Sequence, residues 1–200
     1  MDILSEIIKK SKLHKSRIFN VTVFGSRVYN NFSENSDWDV IIVANNSVDN
    51  IEIKDNLFNI HIYTPNKFIN DLNWHKPNVL ECFFAPDEFK LMNKIEFEFV
   101  LDKIKLRHSV SHVSSNSWVK AKKKIFQDEY HTGIKSIFHS LRIPMFATQV
   151  ATKGTIYDFE VANPIWEKLI SKEWTWEELD NEFRELRNSI LTDFRKVCEK

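Results

Sequence analysis

FGSRVYNNFSENSDWDV, residues 24–40, decides how this chain is read. It puts Gly25-Ser26 directly after a mostly apolar run, IFNVTVF (18–24), and places two carboxylates, Asp37 and Asp39, before a second apolar run, VIIVA (40–44). Asp37 and Asp39 share a parity, so on a strand their side chains leave the same face. Two hard oxygen ligands side by side, with a Gly-Ser turn opposite, suit Mg²⁺ bridging to a polyphosphate. Ser36-Asp37 is also good turn chemistry, the plainer reading of the same residues.

Outward from this stretch, composition sets limits. Two hundred residues, 42 % of them hydrophobic, can bury one sizeable core or two small ones. Acidic and basic residues balance at 28 each, and the sequence pI is about 7.1, which argues against a broad nucleic-acid-binding surface. Cys82 and Cys198 are too far apart in sequence to form a metal-ligand pattern and read as reduced, buried thiols. Residues 1–15 form an amphipathic pattern rather than a signal peptide, and no apolar run approaches the length of a membrane span. The expectation is a cytoplasmic protein with no membrane partner. Only 3 glycines occur, one of them Gly25, a residue kept where backbone freedom is needed.

In chain order, helical spacing of Ile3, Leu4, Ile7 and Ile8 predicts a helix over 2–14, followed by a strand over 18–24. Arg27 to Asn30 can open a short helix whose N–H groups would face an anion. A buried strand is expected over 39–44 and a polar turn over 45–49. One further strand is expected within 52–64, with Asn59, His61 and Tyr63 on its polar face. Pro65 starts a helix through Leu72, 76–84 reads as a loop and a buried element, and 88–101 as an edge hairpin.

Beyond residue 105 the pattern becomes helical. Helices are expected over 117–129, over 133–153 with a break or kink at Pro144, over 159–172, and from Trp176 to Val197 behind a Thr175/Glu178 capping box. The lysines at 120, 122, 123 and 124 read as a solvated helix face. Domains are expected at 1–104 and 105–200. Trp38, between the aspartates on the opposite face, is expected to be buried beneath them.

Gly-Ser-Arg followed after a gap by Ser-Asp-x-Asp resembles the signature of the DNA polymerase β-like nucleotidyltransferase superfamily. Tyr63-x-x-x-Lys67-Phe68, Lys76-Pro-Asn-Val-Leu-Glu81, Lys135-x-x-x-His139-Ser-Leu-Arg142 and Gln149-x-x-x-x-Gly154-Thr-Ile-Tyr-Asp158 are similar to segments of a predicted nucleotidyltransferase branch with a C-terminal helical domain. The resemblance implies an α+β fold: a nucleotidyltransferase-like mixed sheet with flanking helices, followed by a C-terminal helical bundle. It implies a Mg²⁺-dependent (or Mn²⁺-dependent) enzyme that moves a nucleoside monophosphate from a nucleoside triphosphate such as ATP to an acceptor, whether small molecule, RNA or protein. Asp37 and Asp39 would be the catalytic, metal-binding carboxylates. Gly25, Ser26 and Arg27 would hold the phosphates. Lys135, His139 and Arg142, at i, i+4 and i+7 on one helix face, would add a cationic wall for the nucleotide, or else form a solvated polar face.

The chain departs from this pattern where a third carboxylate is expected. Asn59 and His61 stand there, and neither is the usual hard anionic ligand. Glu52, Asp55 and Glu81 are the acids that could substitute. Asn30 stands where the branch carries glycine. These departures leave open a second reading, a catalytically impaired nucleotide-binding or interaction protein derived from such an enzyme.

Overall fold

The computed structural model describes residues 2–34, 36–46 and 48–199. The chain divides into two compact units, Met1–Val100 and Leu101–Lys200. The first is built on a five-stranded mixed sheet and the second is helical, the α+β arrangement implied above.

In the first unit, α1 (Ile3–Ser11) precedes β1 (Ile18–Phe24). The helix is shorter than the expected 2–14, because Lys12 takes the left-handed conformation and closes it. A 3₁₀ turn at Gly25–Arg27 takes the place of the helix expected from Arg27. Next come β2 (Trp38–Ala44), β3 (Asn50–Lys54) and β4 (Phe58–Tyr63). The single strand expected within 52–64 is therefore a hairpin. Its turn is fixed by Asp55, whose Oδ1 accepts from the backbone N–H groups of Leu57 and Phe58, each at 2.9 Å. The turn expected over 45–49 includes Ser47, which lies outside the described residues.

Helices α2 (Pro65–Asn73) and α3 (Pro77–Phe84) each begin on a proline, where the missing N–H costs nothing. The buried element expected within 76–84 is thus a helix that takes up nearly the whole segment. The hairpin expected over 88–101 is a single edge strand, β5 (Lys90–Asn93). Strand order is β3-β4-β2-β1-β5, with β2 and β4 parallel and the other pairs antiparallel. β2 is central, and Val40 to Ala44 are all buried, as expected of a strand covered on both faces.

In the second unit, α4 (Lys103–Phe126) starts fourteen residues before the expected 117. Asp102 caps it by accepting from Ile104 and Lys105 N–H, each at 3.0 Å. α5 (Tyr130–Lys153) runs on through Pro144, without the expected interruption. Proline removes the N–H that Ser140 C=O would normally accept. The Ser114 hydroxyl of α4 donates to that carbonyl at 2.7 Å instead. Gly133 brings the two helices together, since a Cβ there would stand 2.5 Å from Ile125 Cγ1.

α6 (Asn163–Ile170) is shorter than the expected 159–172, because Gln149 holds the preceding turn in a non-helical form. Its Oε1 accepts from Tyr157 and Asp158 N–H and its Nε2 donates to Asp158 C=O. α7 (Trp176–Cys198) carries the expected capping box and buries Leu179, Phe183, Leu191 and Phe194. Among the described residues, no helix is long and apolar enough to cross a membrane. Cys82 and Cys198 are free and buried.

Candidate functional site around Gly25, Asp37, Asp39 and Asn59

Strand register brings the candidate residues together. Asp39 pairs with Phe24 on one side and with Asn59 on the other. Directly paired residues share a face, so Phe24, Asp39, Asn59 and His61 look out from one side of the sheet. Glu52 and Lys54 of β3 join them, opposite His61 and Asn59. Asp37 sits just before β2 and, like Asp39, is half-buried.

Gly25 is required where it stands. Its φ is +80°, and a Cβ built on it would lie 2.5 Å from Asp39 Oδ2. The Asp39 carboxylate therefore rests against bare backbone at the start of the turn. Ser26 and Arg27 continue that turn, in which Val28 N–H donates to Gly25 C=O at 2.9 Å and Asn31 N–H donates to Ser26 C=O at 3.2 Å. Asn30 ends it with φ +58°, which accounts for an asparagine where the related sequences have glycine.

Arg27 does not reach outward as the phosphate-binding reading expects. Its guanidinium lies 4.0 Å from the Trp38 ring centroid and 5.0 Å from that of Phe32, and its Nη2 donates to Ser36 C=O at 2.6 Å. It clamps the loop between the Gly-Ser turn and Asp37. Burial lowers its pKa, and the nearby Asp37 opposes that shift. Trp38 is half-buried rather than sealed beneath the aspartates, and this cation covers one face of its ring.

Asn59 meets Asp39 directly: its Nδ2 donates to Asp39 Oδ1 at 2.8 Å. Asn59 Oδ1 is buried and has no hydrogen-bond donor among the described residues. His61 stands between Phe24 and Tyr63, with ring centroids 6.4 Å from each. Burial lowers its pKa, so the ring is neutral at physiological pH, with Glu52 raising it and Lys54 lowering it further.

Of the acids named for the third position, Glu52 lies on this face opposite His61, while the other two have partners of their own. Glu81 is buried and accepts from the Tyr29 hydroxyl. Asp55 is held by Lys10 and by its own turn. Among the described residues, no three His, Cys, Asp or Glu side chains cluster in a way that could hold a metal. Of the candidate oxygen ligands, Asp39 and Asn59 are in direct contact.

Other matched segments are structural in detail. Asp71 is buried between Lys67 and Lys76, the latter at 2.8 Å. Asn78 Nδ2 donates to Tyr63 Oη at 3.3 Å. These contacts tie α2, α3 and β4 into one block.

In the second unit, Lys135, His139 and Arg142 grade from exposed through half-buried to buried, so they are not a uniformly solvated face. Arg142 Nη2 lies 3.2 Å from His139 Nδ1, and its guanidinium packs 4.8 Å from the Phe146 ring centroid. His139 has its pKa lowered to about 3, first by burial and then by Arg142, Lys135 and Lys120. It accepts from Arg142 as a neutral ring and adds no positive charge near pH 7.

A cavity of about 200 Å³ lies farther along the Asp39 face of the sheet, where Thr22, Ile41, Val43, Cys82 and Lys90 contribute to its lining. Lys54, paired with Asn59 across the β3–β4 ladder, is a cation on this face that the sequence reading leaves out. It lies in the alternation NIEIK over 50–54, which the one strand expected within 52–64 does not separate.

Comparison with known proteins follows this geometry. The family profile described as "Polymerase beta, Nucleotidyltransferase" matches residues 5–88. A comparison with curated proteins finds no match. Among solved structures, the chain is similar to spectinomycin adenyltransferase AAD(9) from Enterococcus faecialis, crystallised with ATP and spectinomycin. Identity is 13 %, coverage 98 % of this chain and 99 % of that one, and the TM-score 0.44. The profile spans the Gly-Ser turn, both aspartates and Asn59, so the likeness to nucleotidyltransferases lies in the first unit and includes the candidate site.

Proposed function

We propose that this chain transfers a nucleoside monophosphate from a nucleoside triphosphate to an acceptor, using a divalent cation, Mg²⁺ or Mn²⁺, held by Asp37 and Asp39. The observation that carries this is the contact between Gly25 and Asp39, a turn that only glycine can make set against a carboxylate. Hard oxygen donors on the Asp39 face, one of them the buried and unpartnered Asn59 Oδ1, fit such an ion.

When bound, the cation supplies charge neutralisation at the phosphates. Gly25 and Ser26 then hold the phosphates at the turn. Arg27 positions the loop that carries Asp37. Of Lys135, His139 and Arg142, Lys135 is the exposed member. In the reaction, an acceptor hydroxyl attacks the α-phosphorus and pyrophosphate leaves.

Incubation with α-labelled triphosphates, Mg²⁺ and cell extract should yield a labelled acceptor, and the Asp37→Ala/Asp39→Ala double variant should yield none. Equal labelling by that variant would refute the site. Asn59 in place of a carboxylate favours a second reading, an impaired nucleotide-binding protein. Under it the wild type binds triphosphate without turnover, and Asn59→Asp gains activity.

A further inference from the structure

We propose that Asn59 serves as the neutral third oxygen ligand of a single divalent cation, by turning over its side-chain amide from the orientation in which it donates to Asp39. This rests on the cation site proposed above and adds its stoichiometry and its third ligand.

Three observations carry it. Asn59 and Asp39 are direct partners on parallel strands, so their side chains leave the sheet together. Asn59 Nδ2 and Asp39 Oδ1 are 2.8 Å apart. Two adjacent ligands on an octahedral Mg²⁺, each about 2.0–2.1 Å from the ion, are themselves separated by about 2.9 Å. Rotating the amide by half a turn puts Oδ1 where Nδ2 now lies, at the spacing a shared ion requires. The terminal torsion of asparagine is broad and close to two-fold, so the rotation meets little intrinsic resistance.

The third observation is that Oδ1 is buried with no donor among the described residues. A buried acceptor normally has a partner. Without a cation, the present orientation spares Asp39 Oδ1 a repulsive contact with Oδ1 and leaves that oxygen unsatisfied. With a cation, the turned amide gives Oδ1 a partner and moves Nδ2 to the position Oδ1 now holds.

The charge balance explains why one ion is expected. Two carboxylates offset one divalent cation, whereas a second ion beside it would need the anion that Asn59 lacks.

The test is Mn²⁺ binding to the full chain, followed by electron paramagnetic resonance and calorimetry. The wild type should bind one Mn²⁺. Asn59→Leu, close in shape but without the oxygen, should bind it at least tenfold more weakly, with circular dichroism confirming the fold. Asn59→Asp should bind two ions or show spin coupling between them. Unchanged affinity in Asn59→Leu, or two ions in the wild type, would overturn the proposal while leaving the cation site intact. Unchanged binding by Asp37→Ala/Asp39→Ala would instead remove the site on which it rests. A second readout is the Asn59 side-chain amide NMR signal, identified by its loss in Asn59→Asp. It should move on addition of Mg²⁺, and a stationary signal in a Mg²⁺-saturated sample would count against the rotation.

Discussion

Gly25 meets two demands at once, a positive φ and the carboxylate of Asp39 resting where a side chain would be. Gly25→Ala should therefore cost about 1–3 kcal/mol of stability, the usual range for a residue forced into a sparsely populated backbone region. Denaturant titration measures this directly. The variant should also weaken Mn²⁺ binding, because Asp39 must move; wild-type stability and affinity together would contradict the packing argument. Arg27 carries a related lesson. Its place in the Gly-Ser-Arg motif marks it as a phosphate ligand, yet it stacks on Trp38 and holds Ser36 C=O. A sequence motif gives residue type and spacing, but the aromatic neighbours that capture a guanidinium are set by the folded loop.

At the scale of elements, the second unit depends on contacts between helices that no single helix reveals. Ser114 on α4 donates to the Ser140 carbonyl that Pro144 deprives of its usual partner. Ser114→Ala should destabilise the chain by about 1–3 kcal/mol, the cost of an unmet buried carbonyl. Adding Pro144→Ala restores an N–H within α5 and should recover much of that loss, so a double-mutant cycle by thermal or denaturant melting should show coupling. Additive effects would argue that the hydroxyl does not replace the missing bond.

His139 gives the same unit a pH dependence. Its folded pKa of about 3 lies below the ordinary value of 6.5. Stability from the neutral ring is therefore fully present above pH 6.5 and is lost as pH falls toward 3. His139→Gln, which still offers Arg142 an acceptor, should flatten the decline between pH 7 and 5 by up to about 1.4 kcal/mol per pH unit. Parallel stability curves for the two proteins would exclude His139 as the cause.

The same scale shows which elements could be read in advance. β1, β2, α2 and α7 announce themselves by apolar period, proline at the first turn or a capping box. α4 does not: its first half, KIKLRHSVSHVSSN, is rich in serine, histidine and β-branched residues. Its buried positions, Leu106, Val110, Ser114 and Ala121, include only two large apolar side chains. The available signal was Asp102 as an N-cap. Of the break or kink expected at Pro144, the break is absent, and a neighbouring helix supplies the donor that the proline lacks. The pair β3–β4 carries little turn signal because its turn is built from Asp55 side-chain bonds rather than from glycine.

For the whole molecule, 28 acidic and 28 basic residues leave no net charge to attract a polyanion at long range, so recognition falls to the local site. The site was legible as residue types: Gly25, Asp37 and Asp39 at their spacing, with Asn59 where an acid was missing. What Asn59 does there was not legible, since it depends on the β2–β4 register and on the amide's place beside Asp39. The most direct test of the central claim compares triphosphates labelled at the α- and γ-phosphorus, in the presence of Mg²⁺ and acceptor. The account predicts that α-label enters the acceptor, γ-label leaves in pyrophosphate, and both outcomes require Asp37 and Asp39. Transfer of the γ-label to acceptor, or α-label transfer that survives loss of both aspartates, would contradict it.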